Sequence, residues 1–213
     1  MAARVEKVKP AEDRPRLTTE ARREHILEAA RSVFVQYGYS GSRTKAIAEA
    51  SGVSEALVYS HFESKDRLFE AAVLEPLEKM VGGLVAQAQR LPELTGVERR
   101  EVSVQLHTAV LTSMREISPL LGVALFSETT FAQRFYREQL KPLLDQIRSS
   151  IAASLQGWPH QSVDAAVITA MLLGTYNWIA LESTLDASDV DVAHIANELT
   201  NVLVRALGPS PAS

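Results

Sequence analysis

The chain has 213 residues, no cysteine, and 22 Lys+Arg against 26 Asp+Glu, a formal charge of −4. The cysteine count excludes disulfides, thiolate metal sites and thiol nucleophiles. A composition that is 46% hydrophobic and 23% charged is that of a globular chain. The acidic balance argues at first sight against nucleic acid, whose binders carry a basic footprint. Split at residue 70, however, the first part holds 12 basic and 11 acidic side chains, net +1, and the remainder is net −5.

Residues 1–18 form a charged, proline-bearing arm with Arg4, Lys7, Lys9, Arg14 and Arg16 and no apolar run of the secretory kind. Such an arm either stays solvated or lies along a phosphate backbone or in a minor groove. Thr18 or Thr19 can cap a first helix, with Ile26, Ala30, Val33, Phe34 and Tyr37 on one face and Gly38 as a left-handed stop. A turn over 39–42 leads to a short helix over 44–51 that ends at Gly52, and Ser54 caps a third helix reaching His61. Ser64 caps a fourth helix, whose Phe69, Val73, Leu77, Met80 and Leu84 recur at helical spacing. Pro76 is expected to bend or divide it.

Further helices are expected over 97–117 and 131–155, with a short apolar segment after Pro119 and an interruption at Pro142. A break at Gly157, Trp158 and Pro159 precedes the last two helices, over 162–185 and 190–207. No alternating strand pattern or hairpin turn occurs, so the chain reads as all-α with about nine helices. Residues 165–181 carry no charge. At 17 residues the run is shorter than the roughly 20 of a membrane span, and it reads as a helix buried in protein.

Two short helices joined by Ser51, Gly52 and Val53 behind a longer helix have the spacing of a helix-turn-helix, whose second helix enters the major groove. Around that helix stand Thr44, Ser54, Tyr59, Ser60, His61 and Lys65, groups able to hold phosphates. Residues 21–73 resemble the N-terminal DNA-binding domain of tetracycline-repressor (TetR-like) transcription factors. The resemblance rests on Ile26-Leu27, Ala29-Ala30, Phe34, Tyr37-Gly38-Tyr39, Thr44, Ile47-Ala48, Gly52-Val53-Ser54, Tyr59, His61-Phe62, Lys65 and Leu68. It covers about a quarter of the chain.

The resemblance implies a flexible basic arm (1–18), a three-helix DNA-binding domain (19–64) and a larger helical effector-binding and dimerisation domain (65–213). It implies that Thr44 bonds a phosphate and that Lys45 lies near a base edge or phosphate. Ser54 opens the recognition helix, Glu55, Ala56 and Leu57 approach bases, Tyr59, Ser60 and His61 line the backbone, and Lys65 reaches a phosphate. The chain departs from the common pattern at three of these positions. Glu55 is acidic, Ala56 replaces a frequent glycine and Leu57 a frequent threonine. Glu55 either accepts from a cytosine amino group or is a favourable first-turn charge facing solvent. Leu57 touches a thymine methyl or packs inward.

The same resemblance implies a small-molecule pocket and pairing of the last two helices with a second subunit. His107, Met114, Phe126, Phe131, Phe135, Tyr136 and Trp178 are candidates for the pocket lining, each otherwise plain core. Ala166, Ala170 and Gly174 allow close helix approach, and Ile195, Leu199 and Val202 give the last helix an apolar face. These form a dimer face or complete a monomer core.

The expected protein is a cytoplasmic, homodimeric regulator, most simply a repressor. A small apolar or aromatic effector would release it from a palindromic double-stranded operator, with no membrane contact, cofactor or metal. One alternative is an enzyme on a helical scaffold, for which no Gly-rich phosphate loop, H-E-x-x-H, G-x-S-x-G or carboxylate pair is found. The other is a nonspecific DNA-binding protein, which needs a larger basic excess than +1.

Overall fold

Thr18 starts the fold: its hydroxyl oxygen accepts the Ala21 N–H at 3.2 Å and opens α1, Thr19–Gly41. The computed structural model describes residues 18–126, 129–155, 163–186 and 189–207, and among these there are nine α-helices and no strand. The arm to residue 17 and the break at 157–159 lie outside the described residues. At Gly38 (φ 68) α1 kinks and adds a further turn through Gly41, where a stop and a loop were expected. The helix ends when the Ser42 N–H donates to the Gly38 carbonyl at 3.2 Å.

Next come α2, Thr44–Ala50, and α3, Glu55–His61, the latter begun by the Ser54 hydroxyl accepting from Leu57 N–H. Ser64 caps α4, Lys65–Ala88, in the same way through Arg67 N–H. This helix runs unbroken through Pro76, and α5, Gly96–Leu125, runs through Pro119, so neither proline divides its helix as expected. Each costs one backbone hydrogen bond. Buried neighbours on both sides, Val73 and Leu77 in α4 and Ile117 and Leu120 in α5, keep each helix seated on the core.

Pro142 does interrupt its helix, one turn early. A π-helical turn, Tyr136–Leu140, joins α6, Thr129–Phe135, to α7, Lys141–Leu155. The Lys141 N–H reaches back five residues to the Tyr136 carbonyl. This widening opens the ladder where the Pro142 ring would meet the Glu138 carbonyl in an α-helix. The final pair is α8, Ala165–Leu185, capped by Asp164 accepting from Ala166 N–H at 2.7 Å, and α9, Val192–Leu207.

One hydrophobic core runs from Ile26 and Phe34 through Ile47, Val58 and Phe69 to Leu111, Ile147 and Tyr176. α5 is its axis, packing on α1, α4, α8 and α9. Where α1 and α4 meet α6, an aromatic knot forms. Phe34 and Phe69 meet edge-on at 4.8 Å, and Tyr39 stacks on Phe131 at 5.1 Å.

The expectation that α8 is buried on nearly every side is corrected. Among the described residues its main packing partners are α5 and α7, and Thr169, Tyr176, Ala180 and Ser183 are its buried residues. Val167, Met171, Trp178 and Leu185 stand in solvent on its other side. By length and composition alone α8 could cross a membrane.

Candidate nucleic-acid interface

The pair α2–α3 is held rigidly from behind. Ile47, Ala48 and Val58 are buried against the core. Gly52, at φ 64, makes the reversal between the helices, a conformation that any Cβ would strain. Ser51 donates to the Ile47 carbonyl at 2.7 Å, which closes the end of α2. Across the pair, the Thr44 and Tyr59 hydroxyls are 3.2 Å apart and tie the start of α2 to the exposed side of α3.

The anticipated contact residues fall into two groups. Thr44, Ser54 and Lys65 are engaged within the fold. Thr44 is buried and bonded to Tyr59, and Ser54 caps α3. The Lys65 ammonium donates to the Ser42 carbonyl at 2.7 Å and lies 4.5 Å from the Tyr39 ring centre. Burial lowers its pKa, against a smaller opposing pull from Asp66. Lys65 therefore pins α4 to the α1–α2 turn, whatever else its remaining donors reach.

The second group faces outward. Lys45, Glu55, Ala56, Tyr59 and Ser60 are exposed, and Leu57 and His61 are half-buried. Lys45 stands 3.9 Å from Glu49, and Ser60 donates to the Leu57 carbonyl at 2.7 Å. Arg43, absent from the anticipated set, is exposed immediately ahead of α2, and its guanidinium has no hydrogen-bond or ion-pair partner among the described residues. Its signal in the sequence is slight, because it sits in the turn and outside the helical pattern.

The aromatic knot ties this end to the rest of the chain. The Tyr39 hydroxyl donates to Asp66, and burial followed by that bond raises the Tyr39 pKa. Arg134 of α6 lies 3.7 Å from Asp66 and 3.9 Å from Glu70. The turn that enters α2 is thus fixed to both α4 and α6.

At the far end, α4, α5, α7, α8 and α9 enclose an apolar cavity of about 130 Å³. Of the seven anticipated pocket residues only His107 lines it. Met114 and Phe126 line a separate apolar cleft of about 350 Å³, and Phe126 is 89% exposed. Phe131 and Phe135 belong to the aromatic knot, whose rings they complete. Tyr136 and Trp178 project to the surface, Trp178 at 63% exposure on the outer face of α8. The cavity wall is made instead by aliphatic side chains such as Leu84, Leu106, Ile151 and Leu172, together with Tyr176.

His107 is 4% exposed and its Nδ1 is hydrogen-bonded to the Tyr176 hydroxyl. Burial pushes its pKa down to about 4, so it is neutral near pH 7. Of the anticipated dimer residues, Ala166, Ala170, Gly174 and Val202 are exposed. Ile195 and Leu199 turn inward and pack on the core cluster.

A short helix pair set on a long helix by a positive-φ glycine, with a hydroxyl-bearing outer face, defines a helix-turn-helix protein. Residues 26–72 match the family of bacterial regulatory proteins, tetR family, and over that segment the chain is similar to it. Against the HTH-type transcriptional repressor AcnR of Corynebacterium efficiens it is 32% identical over 98 residues. That alignment covers 40% of this chain and 51% of that repressor.

Two solved structures share the fold. The fatty acid degradation regulator FadR of Bacillus halodurans superimposes with a TM-score of 0.70 at 19% identity, over 86% of this chain and 94% of that one. FadR of Bacillus subtilis, in complex with stearoyl-CoA, gives 0.63 at 20% identity, over 86% and 98%. At these identities the likeness is one of fold.

Proposed function

We propose that the chain is a cytoplasmic, homodimeric transcriptional regulator, acting as a repressor, that reads a palindromic operator with α3 and lets go when a small effector fills the cavity. The observation that carries this reading is the outward face of α2 and α3. Arg43, Lys45, Tyr59, Ser60 and His61 gather there around a recognition helix begun by Glu55, Ala56 and Leu57. In this reading Arg43, Lys45, Tyr59, Ser60 and His61 contact the phosphate backbone, and Glu55 and Leu57 meet base edges. Thr44, Ser54 and Lys65 hold the reading helix in register and contribute what donors they have left. Residues 19–64 serve as the reader, 1–18 as an arm along the DNA, and 65–213 as the effector and dimer domain.

Dimerisation is supported by the exposed row of Val167, Met171, Trp178 and Leu185, interleaved with Ala166, Ala170 and Gly174 on α8 and continued by Val202 on α9. A soluble chain gains by covering such a row with a second copy of itself. Two reading helices about one DNA turn apart, roughly 34–36 Å, then match the half-sites of a palindrome. Effector control is supported by the cavity at the far end and by the rigid path from α5 through α6 and Tyr39 to α2. A ligand that prefers one spacing of the readers shifts the population toward it. Titration of purified protein onto labelled operator DNA, with and without effector, tests the reading. No preference for any palindrome over random DNA would refute it.

A further inference from the structure

Two side chains of α1 are fixed to a single turn of α4, the turn that ends at Pro76. Pro76 has no N–H, and in an α-helix the carbonyl it leaves without a backbone donor is that of Ala72, four residues earlier. Ala72 is 0% exposed, so water has no access to replace that donor. Arg31 of α1 replaces it: its Nε donates to the Ala72 carbonyl at 3.2 Å, while its Nη1 donates to Glu24 at 2.8 Å. Three residues further along α4, Glu75 accepts from both terminal nitrogens of Arg23, from Nη1 at 2.9 Å. The Arg23 guanidinium also lies 5.0 Å from the ring centre of Phe62, the residue that closes α3.

Arg23 and Arg31 are eight residues apart, about 12 Å along α1, yet they land on Glu75 and Ala72 within one turn of α4. One attachment leaves a pivot, and two separated attachments set an angle. Elsewhere the two helices meet through apolar side chains such as Phe34 and Phe69, 4.8 Å apart. Apolar contact is non-directional, whereas a hydrogen bond to a fixed carbonyl is directional. Beside the two attachments, α1, α4 and α5 leave an open cleft of about 590 Å³ whose wall includes Arg31, Glu75 and Pro76, so no close packing braces α1 there.

We infer that Pro76 and Arg31 act as a pair that sets the angle of the reading unit on α4, which makes both of them positioning residues for operator recognition. This rests on the reader role proposed above for α2 and α3. The proline keeps the Ala72 carbonyl free of its backbone donor, and Arg31 turns that carbonyl into a tether for α1. Since α1 packs on α2 and α2 on α3, an angle fixed at α1 is carried to α3. In a symmetric dimer that angle sets the distance and phase between the two reading helices. A restored N–H at position 76 would take the carbonyl and release Arg31, so a change that mends the helix should loosen the reader.

The test uses the full-length protein, its selected operator, and the same operator with one base pair inserted at the centre. The insertion moves one half-site by about 3.4 Å and turns it by about 35°. The readout is the ratio of the two dissociation constants in anisotropy titration. An unfolded fraction weakens both duplexes equally and leaves this ratio unchanged. Wild type should favour the parent spacing by about tenfold or more. Arg31→Met, which keeps the stem and loses the donor, should cut the ratio by roughly threefold or more, a coupling of the size found between groups in contact. Arg31→Gln places an amide N–H at the bond count of Nε and should retain the wild-type ratio, although the charge and the Glu24 pair are lost. Pro76→Ala should cut the ratio as Arg31→Met does, and the double variant should cut it no further.

Urea unfolding at one protein concentration, with no DNA present, reads the carbonyl itself. Arg31→Met should raise the unfolding equilibrium constant about tenfold in the wild-type background, the worth of a buried acceptor left unpaired. Beside Pro76→Ala the same change should raise it only about twofold, because the new backbone N–H satisfies the carbonyl. The Glu24 pair is lost equally in both backgrounds and cancels from the comparison.

Equal costs for Arg31→Met in the two backgrounds overturn the inference, as does a glutamine variant that behaves like the methionine one. A wild-type spacing ratio in both Arg31→Met and Pro76→Ala overturns the positioning role. Should Arg31→Met not fold, Pro76→Ala, whose helix gains a hydrogen bond, carries the spacing test alone, and a wild-type ratio there overturns it. A wild type that prefers no palindrome sinks the regulator reading instead, and the urea comparison still decides the Arg31 contact.

Discussion

Replacing His107 with glutamine, which keeps an acceptor for the Tyr176 hydroxyl and removes the titration, should make the protein less sensitive to acid. Burial holds His107 at about 4 against its ordinary 6.5. Above pH 7 the imidazole is neutral in both folded and unfolded chains and leaves the folding balance unchanged. As the pH falls through 6.5 the unfolded chain takes up a proton that the folded chain refuses. Stability then declines until the pH passes about 4. A gap of about 2.5 pH units at 1.36 kcal/mol each is roughly 3 kcal/mol in all, with about 2.5 kcal/mol lost between pH 7 and 4.5.

Tyr176, hydrogen-bonded to His107, stays protonated throughout that window because burial raises its pKa. Urea unfolding followed by circular dichroism at pH 7 and 4.5 measures the difference. Protein concentration is held fixed because self-association shifts apparent stability. Wild type should lose about 2–3 kcal/mol more than His107→Gln over this range. Equal losses would refute a neutral, desolvated imidazole at this position.

Four further outcomes follow from the same geometry. Gly52→Ala meets no atom within 4 Å but keeps φ 64, so it should cost about 1 kcal/mol in thermal unfolding from backbone strain alone. Trp178→Glu on the outer face of α8 should convert a dimer into monomer in sedimentation without lowering helix content. An unchanged dimer would move the interface elsewhere. Arg43→Ala should weaken DNA binding about evenly across sequences and reduce the magnitude of the salt slope by about one, whereas Glu55→Gln should change the preferred sequence more than the slope.

Where spacing and cap chemistry act locally, the chain could be read directly. Thr18, Ser54 and Ser64 cap the helices expected of them, and Gly52 makes the turn, because each is decided within four residues. The prolines were harder. Pro76 and Pro119 sit inside continuous helices because tertiary packing outweighs one missing hydrogen bond, and Pro142 acts through a π-turn that begins six residues before it.

The pocket was least legible. Large side chains drew attention in the sequence, yet Phe131 and Phe135 belong to a knot with Tyr39, and Trp178 faces solvent. Most of the wall is Leu and Ile, indistinguishable from core until five helices are assembled around it. His107 stood out by type, but its tautomer depends on Tyr176, 69 residues later. Arg43 was missed because a turn residue has no periodicity to mark its face.

The account centres on α3 as a sequence reader presented twice by a symmetric dimer. Selection of bound DNA from a random pool by the full-length protein, followed by anisotropy titration of the enriched and a scrambled duplex at one salt concentration, tests it most directly. The expected result is an inverted repeat with half-sites about one helical turn apart, bound at least a thousandfold more tightly than the scrambled sequence. Enrichment of no repeat, with equal affinity for both duplexes, would contradict it.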